Sequence, residues 1–432
     1  MGYLEIVAIV FIAIGCVLGL ILLHYLIFTI IGIFAKKKFP ETEKKLKYGI
    51  IIGARNEELV IGGLLDSINN SDYPKDKLQV FVVAHNCTDT TAQIARSKGA
   101  TVYEYNNPEE RTVGFAYKYL VDKIIADWGT ENYDGFFIIN ADNRVTEDYF
   151  TKMNNAFVAT DKKHIITSYR NSSNFSDNYM SCLYGLYFIA SCRYESRGRT
   201  VCGSSTRVSG TGYVINSELL KDGWKYVTLT EDWEFSADAI AHGRKIIYCD
   251  EAEFFDEQPT TVKVMLRQRL RWARGHMIVF FTRFKELMKS LFKPRKKGGS
   301  NKFSVYDFST SILPLGVISV VTGIIQLICI ALCPLFGYDA AQVWKWYGII
   351  FAIGFAASYV IAVVSGVLLL ALEHKRIPQV GFFKKLAAVL LWPFFLLLNI
   401  VLDVVALFVK KLEWKTIPHG KQSKKQKKRN RL

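Results

Sequence analysis

The chain has 432 residues, with 55 Lys and Arg against 39 Asp and Glu, a formal net charge of +16 with histidine neutral. Half of its residues are hydrophobic and only 22% are charged, which excludes a disordered or collagen-like chain. Eight cysteines without paired CxxC clusters exclude a disulfide scaffold or a zinc-ligand array, and a high apolar fraction with strong basicity points to a membrane.

Residues 1–40 read as a transmembrane anchor. No Asp, Glu, Lys or Arg occurs from Ile6 to Ala35, and only His24 there can titrate. At about 1.5 Å per residue this stretch exceeds a bilayer core of roughly 30 Å. Glu5 stands where a cleaved signal peptide carries a basic run, and the stretch is too long for one. Lys36, Lys37 and Lys38 follow at once and, by the positive-inside tendency, place the next segment in the cytoplasm.

Residues 41–275 have a soluble composition. Short apolar strands are expected at Tyr48–Gly53, Leu78–Ala84 and Gly135–Asn140, with amphipathic helices such as Thr90–Lys98 and Ala116–Ala126 between them. This alternation predicts an α/β domain with a mostly parallel sheet, whose ligands bind at the carboxyl ends of the strands. The reducing cytoplasm implied by the anchor predicts no disulfides.

Residues 276–303 read as an interfacial amphipathic helix and a basic loop. His276–Phe292 puts Met277, Phe281, Phe284, Met288 and Leu291 on one face, and Lys293, Arg295, Lys296, Lys297 and Lys302 suit an anionic membrane surface. An ordinary core helix is the alternative. Residues 304–410 read as a second membrane region. Phe308–Phe336 and Trp346–Leu372 form a hairpin, followed by Leu386–Val409, which Pro393, Asn399 and Asp403 interrupt. Four full crossings would leave the basic tail outside, so a hairpin, a re-entrant segment or a missed short crossing is expected in 386–409.

Five polar motifs fall in order within the α/β segment. Arg55-Asn56-Glu57-Glu58 follows the first strand, and His85-Asn86-Cys87-Thr88-Asp89 the second; each is compatible with turn or N-cap chemistry. Ala141-Asp142-Asn143 ends the third strand, where a carboxylate among oxygen-rich side chains suits a hard divalent cation or an Asx turn. Thr228 and Glu231 fit a capping box, yet Glu231-Asp232 also suits a carboxylate poised to take a proton from a sugar hydroxyl. Gln268-Arg269-Leu270-Arg271-Trp272 supplies guanidinium groups for a diphosphate and an indole face for a sugar ring, or a headgroup anchor.

With ARNEE at 54–58, NCTDTT at 86–91, NADN at 140–143, SGTGYVI at 209–215, LTEDWEFS at 229–236, DEQP at 256–259 and QRLRWARG at 268–275, residues 45–420 resemble membrane-embedded family 2 glycosyltransferases of the processive type. That group contains cellulose, chitin and hyaluronan synthases, and the detailed flavour is most similar to bacterial mixed-linkage β-glucan synthases. The resemblance implies a GT-A type domain inserted between an N-terminal transmembrane helix and a C-terminal transmembrane region. It also implies an inverting enzyme that extends a β-glucan from UDP-glucose and translocates it across the plasma membrane.

By the same resemblance Asp232, beside Glu231, is the general base, and Asp142 binds Mg²⁺ or Mn²⁺. Ala54, Arg55, Glu57, His85, Asn86, Asp89, Gln268, Arg269 and Arg271 serve the nucleotide sugar, and Trp272 with Gly210, Thr211 and Gly212 the acceptor. Trp414, Lys415 and Thr416, in residues 411–432, resemble a cytosolic gating element. Three departures alter the donor contacts: His85 stands for an acid, Asn140 for the first acid of Asp-x-Asp, and Val113 for a lysine. The expected partners are the UDP-sugar, the growing polysaccharide and the bilayer, with no nucleic acid. The alternatives are a synthase using UDP-GlcNAc, a non-processive transferase acting on a membrane lipid, and a nucleotide-binding membrane protein without activity.

Overall fold

A computed structural model describes residues 1–377 and 380–409. The strands are β1 (Tyr48–Ala54), β2 (Leu78–His85), β3 (Thr101–Tyr105), β4 (Gly135–Ile138), β5 (Arg144–Val145), β6 (Ile165–Ser172), β7 (Tyr213–Asn216) and β8 (Ile246–Asp256). The helices of the α/β domain and the anchor are α1 (Tyr3–Phe34), α2 (Ile61–Asn69), α3 (Thr91–Ser97), α4 (Val113–Asp127), α5 (Tyr149–Val158), α6 (Tyr179–Ala190), α7 (Gly198–Val201) and α8 (Glu231–Ala241). There follow α9 (Val262–Leu291), α10 (Lys302–Ser311), α11 (Leu315–Ala331), α12 (Ala340–Leu372) and α13 (Phe382–Phe408).

One eight-stranded sheet in the order β3-β2-β1-β4-β7-β6-β8-β5 forms the centre of the domain. β1 is buried along nearly its whole length, as expected of an apolar run covered on both faces. The expected strands appear with ends shifted by a residue or two. The sheet is more mixed than expected: β1 to β4 pair in parallel, as do β6 and β8, whereas β7 is antiparallel to both its neighbours and β5 to β8. The pattern of apolar residues marks strands but carries no direction. β7 enters from the Ser209–Gly212 turn without a crossover helix, which antiparallel pairing permits.

Among the described residues three helices, α1, α12 and α13, are long and apolar enough to cross a membrane, and α10 with α11, bent by 61°, forms a candidate broken span. α1 is docked onto the α/β domain by close backbone approach. A Cβ added at Gly198 would collide with the Phe28 carbonyl, and one at Gly32 with the Arg193 carbonyl. Small residues let helices touch in this way. Arg199, 1% exposed, donates to both carboxylate oxygens of Asp307 at 2.7 and 3.0 Å, and His24 of α1 lies 3.1 Å from the same carboxylate.

α13 keeps beside the α/β domain along its length. Lys384 bonds the Ser176 carbonyl at 2.9 Å, Asn399 accepts from Arg269 at 2.5 Å, and the Ala406 carbonyl accepts from Arg274 at 3.4 Å. Gly316, at the domain end of α11, packs against Ile400 and Asp403 of α13. α9 is one continuous helix that runs through residue 275. Its expected membrane face is largely turned inward: Val279 and Leu287 are buried in the domain core with Phe284, Met288 and Leu291 against them, while Phe281 is 70% exposed.

Candidate active site

The carboxyl ends of β1, β2 and β4 open into a cleft of about 220 Å³ that the first turn of α8, the middle of α9 and the end of α6 close from the other side. Ala54, Arg55 and Glu57 line it after β1. The Glu57 backbone N–H donates to the Thr91 hydroxyl at 2.8 Å, which fixes the turn against α3. Asn56 adopts φ 55°, a left-handed conformation that asparagine tolerates. Its side-chain oxygen accepts from the Thr88 N–H at 2.8 Å and so ties the first two motifs together.

His85 lines the same end of the cleft with its ring 3% exposed and its Nε2 2.7 Å from the Glu110 carbonyl. Burial, with Arg55 nearby, pushes His85 down to about 4, so the ring is neutral at physiological pH. Asn86 and Asp89 do not line the cleft. Asn86 clamps Asn107 through bonds of 2.9 and 2.7 Å, and Asp89 accepts from the N–H and hydroxyl of Thr91 at 3.1 and 2.6 Å. Both have the capping and turn roles that their residue types also allowed.

At the end of β4, Asn140 and Asp142 line the cleft. Thr211, itself buried and off the lining, holds this turn by accepting from the Asn140 N–H at 2.8 Å and donating to Asn143 at 2.5 Å. Tyr117 donates to the Asn140 side-chain oxygen at 3.2 Å, the place where the resembling enzymes carry an acid. Gly210, at φ 77°, brings backbone close to the base candidate: a Cβ there would lie 3.9 Å from Asp232 Oδ2. Gly212 packs under the Phe254 ring and is structural.

Asp142 and Asn140 offer hard oxygen donors, a set that fits Mg²⁺ or Mn²⁺ when donor phosphate oxygens complete the shell. Among the described residues, the one group of three candidate ligands close enough to hold an ion unaided is Asp238, His242 and Glu286. It lies away from the cleft lining, and Arg283 already neutralises Glu286 at 3.2 Å.

Glu231 and Asp232 stand in the first turn of α8, where backbone N–H groups and the helix dipole favour negative charge. The expected Thr228–Glu231 capping box does not form; Glu234 instead accepts from the Thr228 N–H at 3.3 Å. Burial raises both carboxyls above the usual range. The Asp232 charge raises Glu231 further, the Trp233 N–H lowers Asp232, and the Arg271 guanidinium pulls both back towards ionisation.

On α9, Gln268, Arg271, Trp272 and His276 share the cleft face, the i, i+3, i+4, i+8 stripe of a helix. Arg269 points the other way, over Phe395 and onto Asn399. Arg271 donates to the Leu229 carbonyl at 2.6 Å, which holds it beside the α8 carboxylates. Trp272 is set among Tyr184, Tyr187 and Phe188 of α6, nearly parallel to Tyr187 at 6.4 Å.

Several lining groups escaped the motif reading. Arg170, paired with Asp256, and Arg207, paired with Glu195, bring two guanidinium groups into the cleft. The His276 ring lies 4.0 Å from that of Trp233, tilted by 40°. The DEQP motif signalled Asp256 and Gln258, which bond each other at 2.5 Å, but nothing local marked Arg170 or Arg207. Trp414, Lys415 and Thr416 lie outside the described residues.

Comparison with known proteins fits this geometry. The sequence profile described as "Glycosyltransferase like family 2" matches residues 46–275. The chain is 25% identical over 263 residues to "Probable glycosyltransferase YdaM" of Bacillus subtilis (strain 168), covering 60% of this chain and 61% of that protein. It is 24% identical over 230 residues to "Beta-monoglucosyldiacylglycerol synthase" of Synechocystis sp., covering 52% and 47%. The chain thus spans about half to three-fifths of the length of these curated relatives. The fold is similar to that of the mannosyltransferase PcManGT from Pyrobaculum calidifontis in complex with GDP-Man and Mn2+, with a TM-score of 0.57, 16% identity, and 94% of this chain and 100% of that chain covered. The fold is GT-A-like and the profile match covers more than half of the chain, and the chain belongs to the glycosyltransferase like family 2.

Proposed function

We propose that the protein is a membrane-bound, inverting hexosyltransferase that adds glucose from UDP-glucose to the end of a β-glucan. The observation that carries this reading is the single cleft in which Asp142, Asp232, Arg271 and Trp272 all take part. Arg55 and neutral His85 bind the nucleoside end, and Arg271 faces the diphosphate. Asp142 holds a divalent cation, which when bound offsets the charge of the departing nucleoside diphosphate. Asp232 accepts the proton of the acceptor hydroxyl as its oxygen attacks the anomeric carbon, and the C–O bond to the diphosphate breaks on the opposite side. Trp272 and Tyr187 give the terminal acceptor sugar an aromatic floor, and the membrane helices hold the cleft at the bilayer surface.

A second acceptor class, a membrane lipid, is favoured by the spans themselves. The apolar windows of α1 and α12 are 0% and 11% buried, so a single copy leaves these helices open to lipid instead of enclosing a polymer tunnel. Purified protein given UDP-glucose, UDP-GlcNAc or UDP-galactose with Mg²⁺ or Mn²⁺ tests both readings. Release of UDP with a product cut by β-glucan hydrolases supports the first. An organic-extractable monoglycosylated lipid supports the second. No UDP release with any donor contradicts both.

A further inference from the structure

A second cavity, of about 370 Å³, lies where α1 and α12 meet the α/β domain. Its rim is apolar, made by Ile33 and Phe34 at the end of α1 and Leu372 at the end of α12, and Phe34 is 84% exposed. Its floor is charged, with Lys36, Arg193, Arg197, Lys375 and Arg376 against Asp250 and Glu373. The two carboxylates are already engaged. Asp250 accepts from Arg197 at 2.8 Å and from Arg376 at 3.3 Å, and Glu373 accepts from Arg193 and from the Tyr169 hydroxyl at 3.2 Å. Just outside, Glu251 lies 3.9 Å from Lys36 and Glu253 4.0 Å from Arg376, too far to hydrogen bond.

Donors are left over. Although both guanidinium groups have carboxylate or carbonyl partners, Arg193 Nε and Arg376 Nη1 are buried without one, and an unmet buried donor is costly unless a ligand meets it. Lys36 approaches Asp250 only to 3.9 Å, and Lys375 forms no ion pair among the described residues. Arg193 and Arg197 belong to a seven-residue π-helix, Ser191–Arg197, whose first residue lines the catalytic cleft; π-turns of this kind are rare and concentrate at functional sites.

We infer that this cavity binds the phosphate of an anionic membrane lipid, with the acyl chains running along the exposed sides of α1 and α12. The depth is that of a headgroup, since the charged floor begins where the apolar helices end. Free inorganic phosphate has the same charge chemistry but no use for the apolar rim.

Full-length protein in nanodiscs of mixed phosphatidylglycerol and phosphatidylcholine tests this by native mass spectrometry of the retained lipid. Phosphatidylglycerol should be retained in preference, and Lys36→Gln and Lys375→Gln should each weaken retention by about fivefold. Both lysines line this cavity and lie outside the catalytic cleft, so unchanged UDP release in phosphatidylcholine discs reports an intact fold. Equal retention of the two lipids, or retention unaffected by both substitutions, overturns the inference. So does displacement of phosphatidylglycerol by millimolar inorganic phosphate, which would make free phosphate the occupant.

Discussion

The junction between α1 and the α/β domain and the catalytic cleft both bury charge, but they compensate it differently. At the junction, Arg199 and Asp307 meet through two hydrogen bonds with His24 against the same carboxylate, and Asp307 together with Glu195 and Tyr25 more than offsets the effect of burial on Arg199. In the cleft, Glu231 and Asp232 face Arg271, which donates a hydrogen bond to the Leu229 carbonyl and forms no ion pair with either carboxylate among the described residues. Matched charges fix geometry, and unmatched ones keep a proton mobile.

Substitutions can break this comparison. Asp232→Asn should lower turnover by on the order of 10²- to 10⁴-fold while UDP binding, measured by calorimetry, stays within a few-fold. No neutral partner change should rescue it. The junction should behave in the opposite way. Arg199→Met alone leaves the buried Asp307 without its two guanidinium bonds, with His24 its remaining ring partner, and should cost about 3–5 kcal/mol in a denaturation series, whereas Arg199→Met with Asp307→Leu should recover most of that loss. If the double variant is no more stable than the single one, the junction is not a matched pair.

A smaller effect sharpens the cleft side. Burial holds the Asp232 carboxyl above the usual range, and Arg271 draws it down. The base works ionised, so activity falls as pH drops through its raised pKa. Removing the Arg271 cation destabilises the carboxylate, so Arg271→Gln should move the acid limb of kcat to higher pH, apart from any general loss of rate. An acid limb that stays in place would assign it to another group. The smallest effect is expected at His85. Its ring stays neutral down to about 4, so His85→Gln should change donor KM a few-fold and leave the pH profile between about 5 and 8 unaltered.

Much of the cleft was legible in the sequence because its parts are local. Arg55, His85 and Asp142 follow apolar strands that periodicity marks, and Gln268, Arg271 and Trp272 sit at helical spacing on α9. The same spacing, carried through, turns Arg269 away from the cleft and towards Asn399. What escaped depends on distant pairing. Arg170 enters the cleft because β6 lies beside β8 and meets Asp256, and Arg207 is placed by Glu195 on the π-helix. A one-dimensional pattern of apolar residues reports neither strand order nor an i to i+5 turn. Residue 275, where the family match also ends, leaves no mark on the backbone. Composition changes there, but the backbone of α9 continues through it.

The most direct test of single-displacement transfer by Asp232 is the anomeric configuration of the first product, followed by proton NMR from the α-linked donor UDP-glucose. In-line attack with Asp232 as base predicts a β-linked product from the first turnover. An α-linked product would require two displacements or a different nucleophile, and would contradict the role given to Asp232.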